Sequence, residues 1–426
     1  MIGERKNVFK VDKPLVILYI LLVGFGWGNI FSSSLSGSVE SIFNINELYG
    51  KQIIFILLSS ILILITLSIE AKFYERFASI FYFISILSLI GLFIFGKTVN
   101  GSTSWYGIGS FTVQPSEFAK VAASLAVAKF ISDLQTNVKL INHQVVLALI
   151  IFLPALLIIL QNDTGSTLVY SAFLFVLFRE GIPKIYLYII CLFFLLFIST
   201  IKFSLLTTFL ISFFIVLISY LKTKKKRNTL IKHLSVLLFA TIISLSVNYF
   251  YNNIIKQHQK NRIGLWLKLE SNPVEIEKMK RTILYNLNES EKAISSGGWT
   301  GKGYLEGTRT IGKFVPEQQT DYIFSTVGEE WGFLGSSFII ILFVLLLLRI
   351  IHLSELQKNQ FSRVYGYSVA SIIFFHFLIN IGMVMGLVPT IGIPLPFFSY
   401  GGSSLWAFTI LLFIFIKLDS NKLNEW

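Results

Sequence analysis

Four carboxylates lie within nineteen residues of the chain, in the stretch FVPEQQTDYIFSTVGEEWG (314–332): Glu317, Asp321, Glu329 and Glu330. A carboxylate can act as a general base, and two of them can flank one glycosidic bond when they stand roughly 5–9.5 Å apart. On a helix that begins near Thr320, Glu329 would lie about 12 Å from Asp321 along the axis, and Glu330 would point to the opposite face. We therefore expect Asp321 alone to be the acid/base candidate, with Glu329 and Glu330 at the membrane interface or in a polar internal contact. Glu317 could reach Asp321, although the spacing does not require it.

Cations precede these carboxylates in a glycine-rich stretch, SGGWTGKGYLEGTRTIGKF, which contains Lys302 and Arg309, and Arg262 lies further upstream. Such side chains can stabilise the charge that develops on a departing phosphate. They can equally contact anionic lipid head groups, so both interpretations stay open. The GKG sequence is not a nucleotide-binding P-loop, because no Ser or Thr follows the lysine.

Three ionisable residues fall within or between apolar stretches, where a charge costs at least about 2.5–3.5 kcal/mol. Glu117 and Lys120 are three positions apart on a predicted helix that begins at Pro115, so they can pair on one face. Asp163 lies in a polar break, QNDTGST, between two apolar segments. Each has a structural alternative, an internal ion pair for the first two and a helix cap for Asp163. The functional interpretation places all three on the wall of a polar cavity that binds substrate.

A further stretch, GLVPTIGIPLPFFSYGGSS (386–404), contains three prolines and four glycines between two apolar segments. Such a segment cannot be a regular helix, and irregular backbone at membrane depth is tolerated only inside protein or along a cavity. We predict a re-entrant loop whose Ser399, Gly401 and Gly402 contact the substrate. A purely structural loop is the alternative.

The elements that must position these groups are membrane-spanning helices. The chain has 426 residues, of which 54% are apolar and 15% aromatic, and its mean hydropathy of +0.71 is far above that of a soluble domain. Apolar stretches long enough to cross a hydrocarbon layer of about 30 Å recur along it. We predict an all-α polytopic membrane protein. Its spans, about twelve in number, are expected at 15–34, 52–69, 78–96, 117–132, 144–161, 166–180, 185–201, 203–221, 233–251, 331–350, 366–388 and 403–418.

Positive charge predicts the orientation of these spans. With the basic N-terminus inside, the inner segments hold most of the Lys and Arg residues, including KTKKKR (222–227), and the short outer loops hold only Lys51, Lys97 and Lys202. Both termini are therefore expected to be cytoplasmic. The net charge of +13 follows from this topology, and nucleic-acid binding is not expected.

The largest segment outside the membrane is a predicted outer loop, 252–330, within a single membrane domain, 1–426. A helix is predicted in this loop between Asn272, a possible cap, and Gly297.

The one cysteine, Cys191, excludes a disulfide framework and a cysteine-based metal site. None of the histidines shows HExxH spacing, and all five are expected to be solvated or interfacial: His143, His233, His258, His352 and His376.

These stretches together resemble one family. QPSEFAK, LQNDTGSTLVY, SGGWTGKGYLEGT, FVPEQQTDYIFSTVGEEWGFLG and the N-x5-GLVPTIGIPLPFFSYGGSS motif, which begins at Asn380, are similar in kind and order to motifs of the SEDS family (shape, elongation, division and sporulation). The outer loop resembles the RodA branch of that family more than its division paralogue FtsW.

The resemblance implies a peptidoglycan glycosyltransferase that polymerises lipid II at the outer face of the bacterial cytoplasmic membrane, beside a class B penicillin-binding protein. It assigns the family's essential outer-loop Asp to Asp321, the Glu and Lys of its fourth span to Glu117 and Lys120, and its polar break to Asp163. The leaving pyrophosphate would be stabilised by a divalent ion such as Mg or Mn, or by cations drawn from Lys120, Arg262, Lys302 and Arg309.

The chain departs from the family pattern at three positions. Ser104 replaces an Arg, Asn162 replaces a Pro, and Gln319 replaces a His, which indicates that this His is not required for the chemistry. Twelve spans also exceed the family's usual ten, with the surplus pair within 185–251.

The main alternative function is a flippase for lipid-linked sugars. An O-antigen type polymerase or ligase and a scaffold for the penicillin-binding protein are others.

Overall fold

The structure is a computed structural model. It describes residues 11–35, 41–99, 101–109, 111–223, 227–253 and 285–422, with the isolated positions 255, 260, 263–264, 266–267 and 269. The chain separates into two compact units, Met1–Gly181 with Asn286–Trp426, and Ile182–Tyr285. The one-domain boundary, 1–426, stays a prediction.

Twelve of the described helices lie in or at the edge of the first unit. They are α1 (Lys13–Ser34), α2 (Leu48–Ser68), α3 (Ala71–Phe95), α4 (Pro115–Ser132), α5 (Ile141–Leu160), α6 (Thr164–Val169), α7 (Phe173–Arg179), α11 (Tyr285–Ser296), α12 (Thr308–Ile311), α13 (Ile323–Glu355), α14 (Gln360–Val384) and α15 (Gly402–Asn421). The second unit contains α8 (Ile185–Phe203), α9 (Leu205–Lys222) and α10 (Arg227–Asn253), which pack on one another.

Ten helices in the described part of the chain are long and apolar enough to cross a membrane, and the predicted helical membrane fold is confirmed. Helix α4 has spanning length but contains Glu117, Lys120 and Lys129. The segment 164–179 is shorter and is divided by a 3-10 turn. Each predicted span falls on one of these elements, and the count of twelve crossings stays a prediction.

A small antiparallel sheet, absent from the sequence-based prediction, precedes α4. Its strands are β1 (Lys97–Val99), β2 (Ser102–Ile108) and β3 (Phe111–Val113), in the order β1-β2-β3. Gly101 and Gly109 have positive φ in the two turns, where a residue without Cβ is favoured. Gln114 lies between β3 and α4, and its side chain bonds to Asp163 in the candidate site.

The helix predicted to start near Thr320 is present as α13, but it begins at Ile323 and its N-cap is Tyr322, not Thr320. A helix start at Thr320 would require the carbonyls of residues 319–321 to accept from N–H groups four positions later. Those three carbonyls are instead taken by groups from the C-terminal quarter of the chain, as described below.

The segment 386–401 contains no helix, as its prolines and glycines predict. Its path relative to the membrane stays a prediction. The predicted helix of the outer loop is present as α11, and its predicted start at Asn272 lies outside the described residues.

Candidate active site

Asp321 lies in the turn that precedes α13, partly exposed, and none of the described residues donates a hydrogen bond to its carboxylate. Its side chain lies against Gly392, where a Cβ added to the glycine would stand 3.2 Å from Oδ2. A Cβ added to Gly165 would in turn stand 2.7 Å from the carbonyl oxygen of Gly392. The absence of side chains at Gly165 and Gly392 therefore allows α6, the 386–401 segment and the Asp321 carboxylate to pack closely against one another.

The backbone around Asp321 is held by three hydrogen bonds to consecutive carbonyls. Tyr400 N donates to the carbonyl of Gln319 at 2.9 Å, Ser399 Oγ donates to that of Thr320 at 2.6 Å, and Asn380 Nδ2 donates to that of Asp321 at 2.8 Å. These donors come from the 386–401 segment and from the buried face of α14. The candidate base is thus fixed through its main chain while its carboxylate stays available.

The electrostatic environment of Asp321 favours a proton-accepting group near neutral pH. The surrounding protein strips water from most of this partly exposed carboxylate, and that desolvation, followed by the like charges of Glu317 and Asp163, raises the pKa of Asp321 from 3.8 to about 7. A pKa near the working pH is the value that suits a general base. Glu317, which is exposed, accepts a hydrogen bond from Thr320 Oγ1 at 3.2 Å, and its charge contributes to the raised pKa of Asp321.

Asp163 caps α6, which is the structural alternative that the sequence allows. Its Oδ1 accepts from Ser166 N at 3.0 Å, and its Oδ2 accepts from Gln114 Nε2 at 2.9 Å. The carboxylate nevertheless contributes to the field at Asp321. A direct contact between Asp163 and substrate stays a prediction.

Glu117 and Lys120 form an internal ion pair. Lys120 Nζ lies 2.8 Å from Glu117 Oε1, and the lysine is only 2% exposed. The same Nζ lies 2.9 Å from Nε2 of His376, which is 1% exposed. The expectation that His376 is solvated or interfacial is therefore wrong, because a lysine 256 positions away supplies a partner inside the bundle. Stabilisation of a leaving group by Lys120, or any contact of the pair with substrate, stays a prediction.

The glycine-rich outer loop fills a break in α13. Gly332 has non-helical dihedrals (φ 63°, ψ −157°), which leaves backbone groups of the helix without helical partners. Lys302 N and Gly303 N donate to the carbonyls of Glu329 and Glu330, and Phe333 N and Leu334 N donate to the carbonyls of residues 298 and 299. The loop backbone thus replaces the missing turn of the helix.

At Gly297 and Gly301 of the outer loop, the backbone of α13 lies too close for any side chain. A Cβ at Gly301 would lie 2.0 Å from the carbonyl oxygen of Glu330, and one at Gly297 would lie 2.0 Å from that of Gly328. Contacts this short do not occur, so larger residues would push the loop out of the helix break.

Glu329 fastens the same loop through its side chain and is fully buried. Its carboxylate accepts from Thr310 N at 2.8 Å, Arg309 N at 3.0 Å and Lys302 Nζ at 2.7 Å. Glu330 is also buried and accepts a hydrogen bond from Ser32 Oγ on α1. Of the two predicted locations for Glu329 and Glu330, the polar internal contact is the observed one.

The predicted phosphate-binding cations are engaged with carboxylates. Lys302 pairs with Glu329, and the guanidinium of Arg309 pairs with Glu289 on α11. Both cations remain partly exposed, so they could exchange these partners for an anion at the surface. Their contact with substrate stays a prediction, and Arg262 lies outside the described residues.

The three residues proposed from the 386–404 motif occupy structural positions. Ser399 is buried and bonded to Thr320, Gly401 N donates to Gln52 Oε1 at 3.2 Å, and Gly402 packs on Phe55. The observed role of this motif is to position the turn that carries Asp321. Contact of these residues with substrate stays a prediction.

Among the described residues, no three of His, Cys, Asp and Glu lie close enough together to hold a metal ion. The predicted Mg or Mn therefore has no cage made by those residues, and no reaction step is assigned to it. Whether activity needs a divalent ion stays a prediction.

Sequence reasoning assigned no role in the site to three residues that the structure places there: Asn380, His376 and Gln318. Gln318 Nε2 donates to Ser33 O on α1 at 2.8 Å and to Thr310 O at 3.0 Å, which joins the outer loop to α1. Asn380 and His376 are polar residues in an otherwise apolar span, and that pattern alone could have marked them.

Comparison with known proteins gives one consistent family. A family model described as a cell cycle protein, covering FtsW, RodA and SpoVE, matches residues 13–235 and 185–424. Peptidoglycan glycosyltransferase RodA of Treponema pallidum (strain Nichols) is 30% identical, over 98% of this chain and 99% of its own length. Peptidoglycan glycosyltransferase MrdB of Escherichia coli (strain K12) is 31% identical, over 81% of this chain and 78% of its own length.

Solved structures share the fold. A chain from a peptidoglycan synthase complex that coordinates polymerization and crosslinking superposes with a TM-score of 0.71, at 22% identity, covering 98% of this chain and 100% of that one. The rod shape determining protein RodA of Thermus thermophilus superposes with a TM-score of 0.62, at 21% identity. The match covers 98% of this chain and 99% of that one.

Proposed function

The chain belongs to the SEDS family of cell cycle proteins, and we propose that it is a peptidoglycan glycosyltransferase that polymerises lipid II into glycan strands during cell-wall synthesis and cell-shape maintenance. The observation that carries the proposal is the arrangement at Asp321. Its main chain is fixed by Asn380, its carboxylate receives no hydrogen bond from the described residues, and its pKa is raised to about 7. A rigidly placed carboxylate of this kind suits proton abstraction.

In the proposed reaction, Asp321 accepts the proton of a sugar hydroxyl on one lipid II molecule. The hydroxyl oxygen forms a bond to the anomeric carbon of the lipid-linked strand, with inversion, and the bond from that carbon to the pyrophosphate breaks. The lipid pyrophosphate leaves with the bonding electron pair. A positioned base contributes typically ~10²–10⁴-fold to such a step.

We propose that Lys302 and Arg309 meet the developing negative charge. Both lie in the loop that packs on the first turns of α13, and both are partly exposed. Charge-assisted bonds from such groups would strengthen as the pyrophosphate departs. Each would have to loosen its bond to Glu329 or Glu289 to do so.

The proposal includes a partner and an orientation. A related chain occurs in a peptidoglycan synthase complex that coordinates polymerization and crosslinking, and we propose that this chain likewise works beside a class B penicillin-binding protein. The protein is a multi-pass protein of the bacterial inner membrane. The distribution of Lys and Arg supports cytoplasmic termini and, with them, a position of Asp321 at the outer face.

The experiment that tests the function is glycan-strand synthesis from labelled lipid II by the purified protein with its penicillin-binding partner. Polymer of many disaccharide units is the expected product. Translocation of labelled lipid II across liposomes without any polymer would instead support a flippase, the rival that the intramembrane charges also fit.

A further inference from the structure

We propose that His376 is a positioning residue that connects the buried Glu117–Lys120 pair to the main chain beneath Asp321. The inference rests on the proposed function. It gives the intramembrane charges a task different from contact with the leaving pyrophosphate.

The first step of the argument is the spacing of His376 and Asn380 on α14. The two residues are one helical turn apart, so they lie on the same face. His376 Nδ1 lies 3.1 Å from the carbonyl oxygen of Pro394, and Asn380 Nδ2 donates to the carbonyl of Ile393 at 2.7 Å. One face of α14 therefore holds two consecutive carbonyls of the 386–401 segment.

The second step is the tautomer of His376. A lysine ammonium can only donate, so the Nε2 that lies 2.9 Å from Lys120 Nζ must accept. A neutral imidazole that accepts at Nε2 carries its proton at Nδ1. His376 Nδ1–H therefore donates to the carbonyl oxygen of Pro394. Because Lys120 occupies Nε2, it determines that His376 is the donor to the 386–401 segment.

The third step is the surroundings of Lys120. Its Nζ is bonded to Glu117 Oε1 and His376 Nε2, and it lies 5.1 Å from the centre of the Phe408 ring. These three acceptors surround a lysine that is 2% exposed. A group held in this way is placed to fix a neighbour, not to travel to a substrate.

The fourth step links this arrangement to Asp321. Residues 393 and 394 directly follow Gly392, the glycine against which the Asp321 carboxylate lies. Asn380 bonds both Ile393 and Asp321, so displacement of the 392–394 stretch would shift the candidate base. A misplacement of 1 Å in an active site can lower the rate by about 10²-fold.

The test compares two substitutions of His376. His376→Gln can keep an acceptor near the Nε2 position for Lys120 but loses the donor to Pro394, whereas His376→Asn can keep the donor and loses the acceptor. We expect His376→Gln to lower kcat for lipid II polymerisation roughly 10–100-fold with little change in KM, and His376→Asn to recover part of that loss. His143→Gln, at a partly exposed position on α5, is the matched control and should retain the wild-type rate.

A second measurement does not depend on polymerisation activity, and its wild-type result does not depend on the folding of any variant. Nitrogen-15 NMR of histidine-labelled wild-type protein should show His376 as the Nδ1–H tautomer, and Lys120→Met should abolish that fixed state. An Nε2–H tautomer in the wild type, or wild-type kcat in both His376 variants, would overturn the inference. If Asp321→Asn is inactive while His376→Gln polymerises normally, only the inference fails and the proposed function stands.

Discussion

Nδ2 of Asn380 lies 2.8 Å from the carbonyl oxygen of Asp321 and 2.7 Å from that of Ile393. One fully buried amide thus ties the turn that carries the candidate base to the proline-rich segment on which that base rests. The bond between Asn380 and Asp321 engages the main chain, so it fixes the position of the carboxylate without occupying it.

Asn380→Leu, a change to an apolar side chain of similar size, should therefore lower kcat more than it changes KM. It leaves two carbonyls without their donor, and a buried unsatisfied group costs about 1–3 kcal/mol. We expect a loss of roughly 10–100-fold in kcat, because the candidate base is free to shift. Steady-state polymerisation with varied lipid II measures this.

Asn359→Leu is the matched control for this prediction. Asn359 caps the other end of α14, where its side chain accepts from Phe361 N at 2.8 Å. Loss of a cap costs about 0.5–2 kcal/mol of stability, but this cap lies far along the helix from Asp321. Equal losses of kcat in the two variants would mean that Asn380 acts through general stability.

The pH dependence of polymerisation should reveal the field around Asp321. Burial and the charges of Glu317 and Asp163 raise the pKa of Asp321 to about 7, and a base acts in its ionised form. The rate should therefore rise with pH through about 7. Glu317→Gln removes one like charge, which lowers the pKa of Asp321 and moves the rise to lower pH.

Glu306→Gln provides the control for the pH profile, because Glu306 is exposed and does not contribute to the pKa shift of Asp321. Its rate profile should match that of the wild type. A profile that does not move in Glu317→Gln would show that the group titrating near pH 7 is not Asp321.

Two glycines of the outer loop offer a matched pair of substitutions. Gly298 and Gly301 both have positive φ, which costs an L-residue roughly 1–2 kcal/mol. A Cβ at Gly298 meets open space, whereas one at Gly301 would lie 2.0 Å from the carbonyl oxygen of Glu330. We expect Gly298→Ala to retain most activity and Gly301→Ala to lose it at least about tenfold by displacing the loop. Similar activities in the two variants would contradict the packing of this loop into α13.

Glu329→Gln should loosen the same loop without altering its backbone. The change removes the charge that balances Lys302 and presents an amide N–H₂ to a site made of donors. Breaking a buried pair costs about 3–5 kcal/mol when one charge is left buried, and the partial exposure of Lys302 reduces this cost. Faster proteolytic cleavage within 297–313 than in Glu306→Gln is the expected result. Equal cleavage in the two variants would show that Glu329 does not fasten the loop.

The helices could be predicted because span length and apolar character are local properties of the sequence. Helix α5 has 20 residues and an almost continuous apolar composition, and its predicted and observed bounds differ by only a few residues. The capping of α6 by Asp163 was likewise an open alternative, because a cap and its N–H partner are three residues apart.

The parts that could not be predicted depend on partners distant in sequence. Thr320 has the chemistry of an N-cap, but its carbonyl is taken by Ser399, 79 positions away, so the helix starts later. His376 has no local feature that identifies Lys120 as its partner. The role of the glycines in 297–303 depends on the break at Gly332, which only the packed structure displays.

Polymerisation by Asp321→Asn, assayed on saturating labelled lipid II with the penicillin-binding partner present, tests the central claim most directly. The amide is nearly isosteric and keeps the main-chain bond to Asn380, but it cannot accept the proton. We predict a kcat at least about 10²-fold below that of the wild type, with glycan strands absent or sparse and the protein still folded. A wild-type rate of strand synthesis in Asp321→Asn would contradict the assignment of Asp321 as the base.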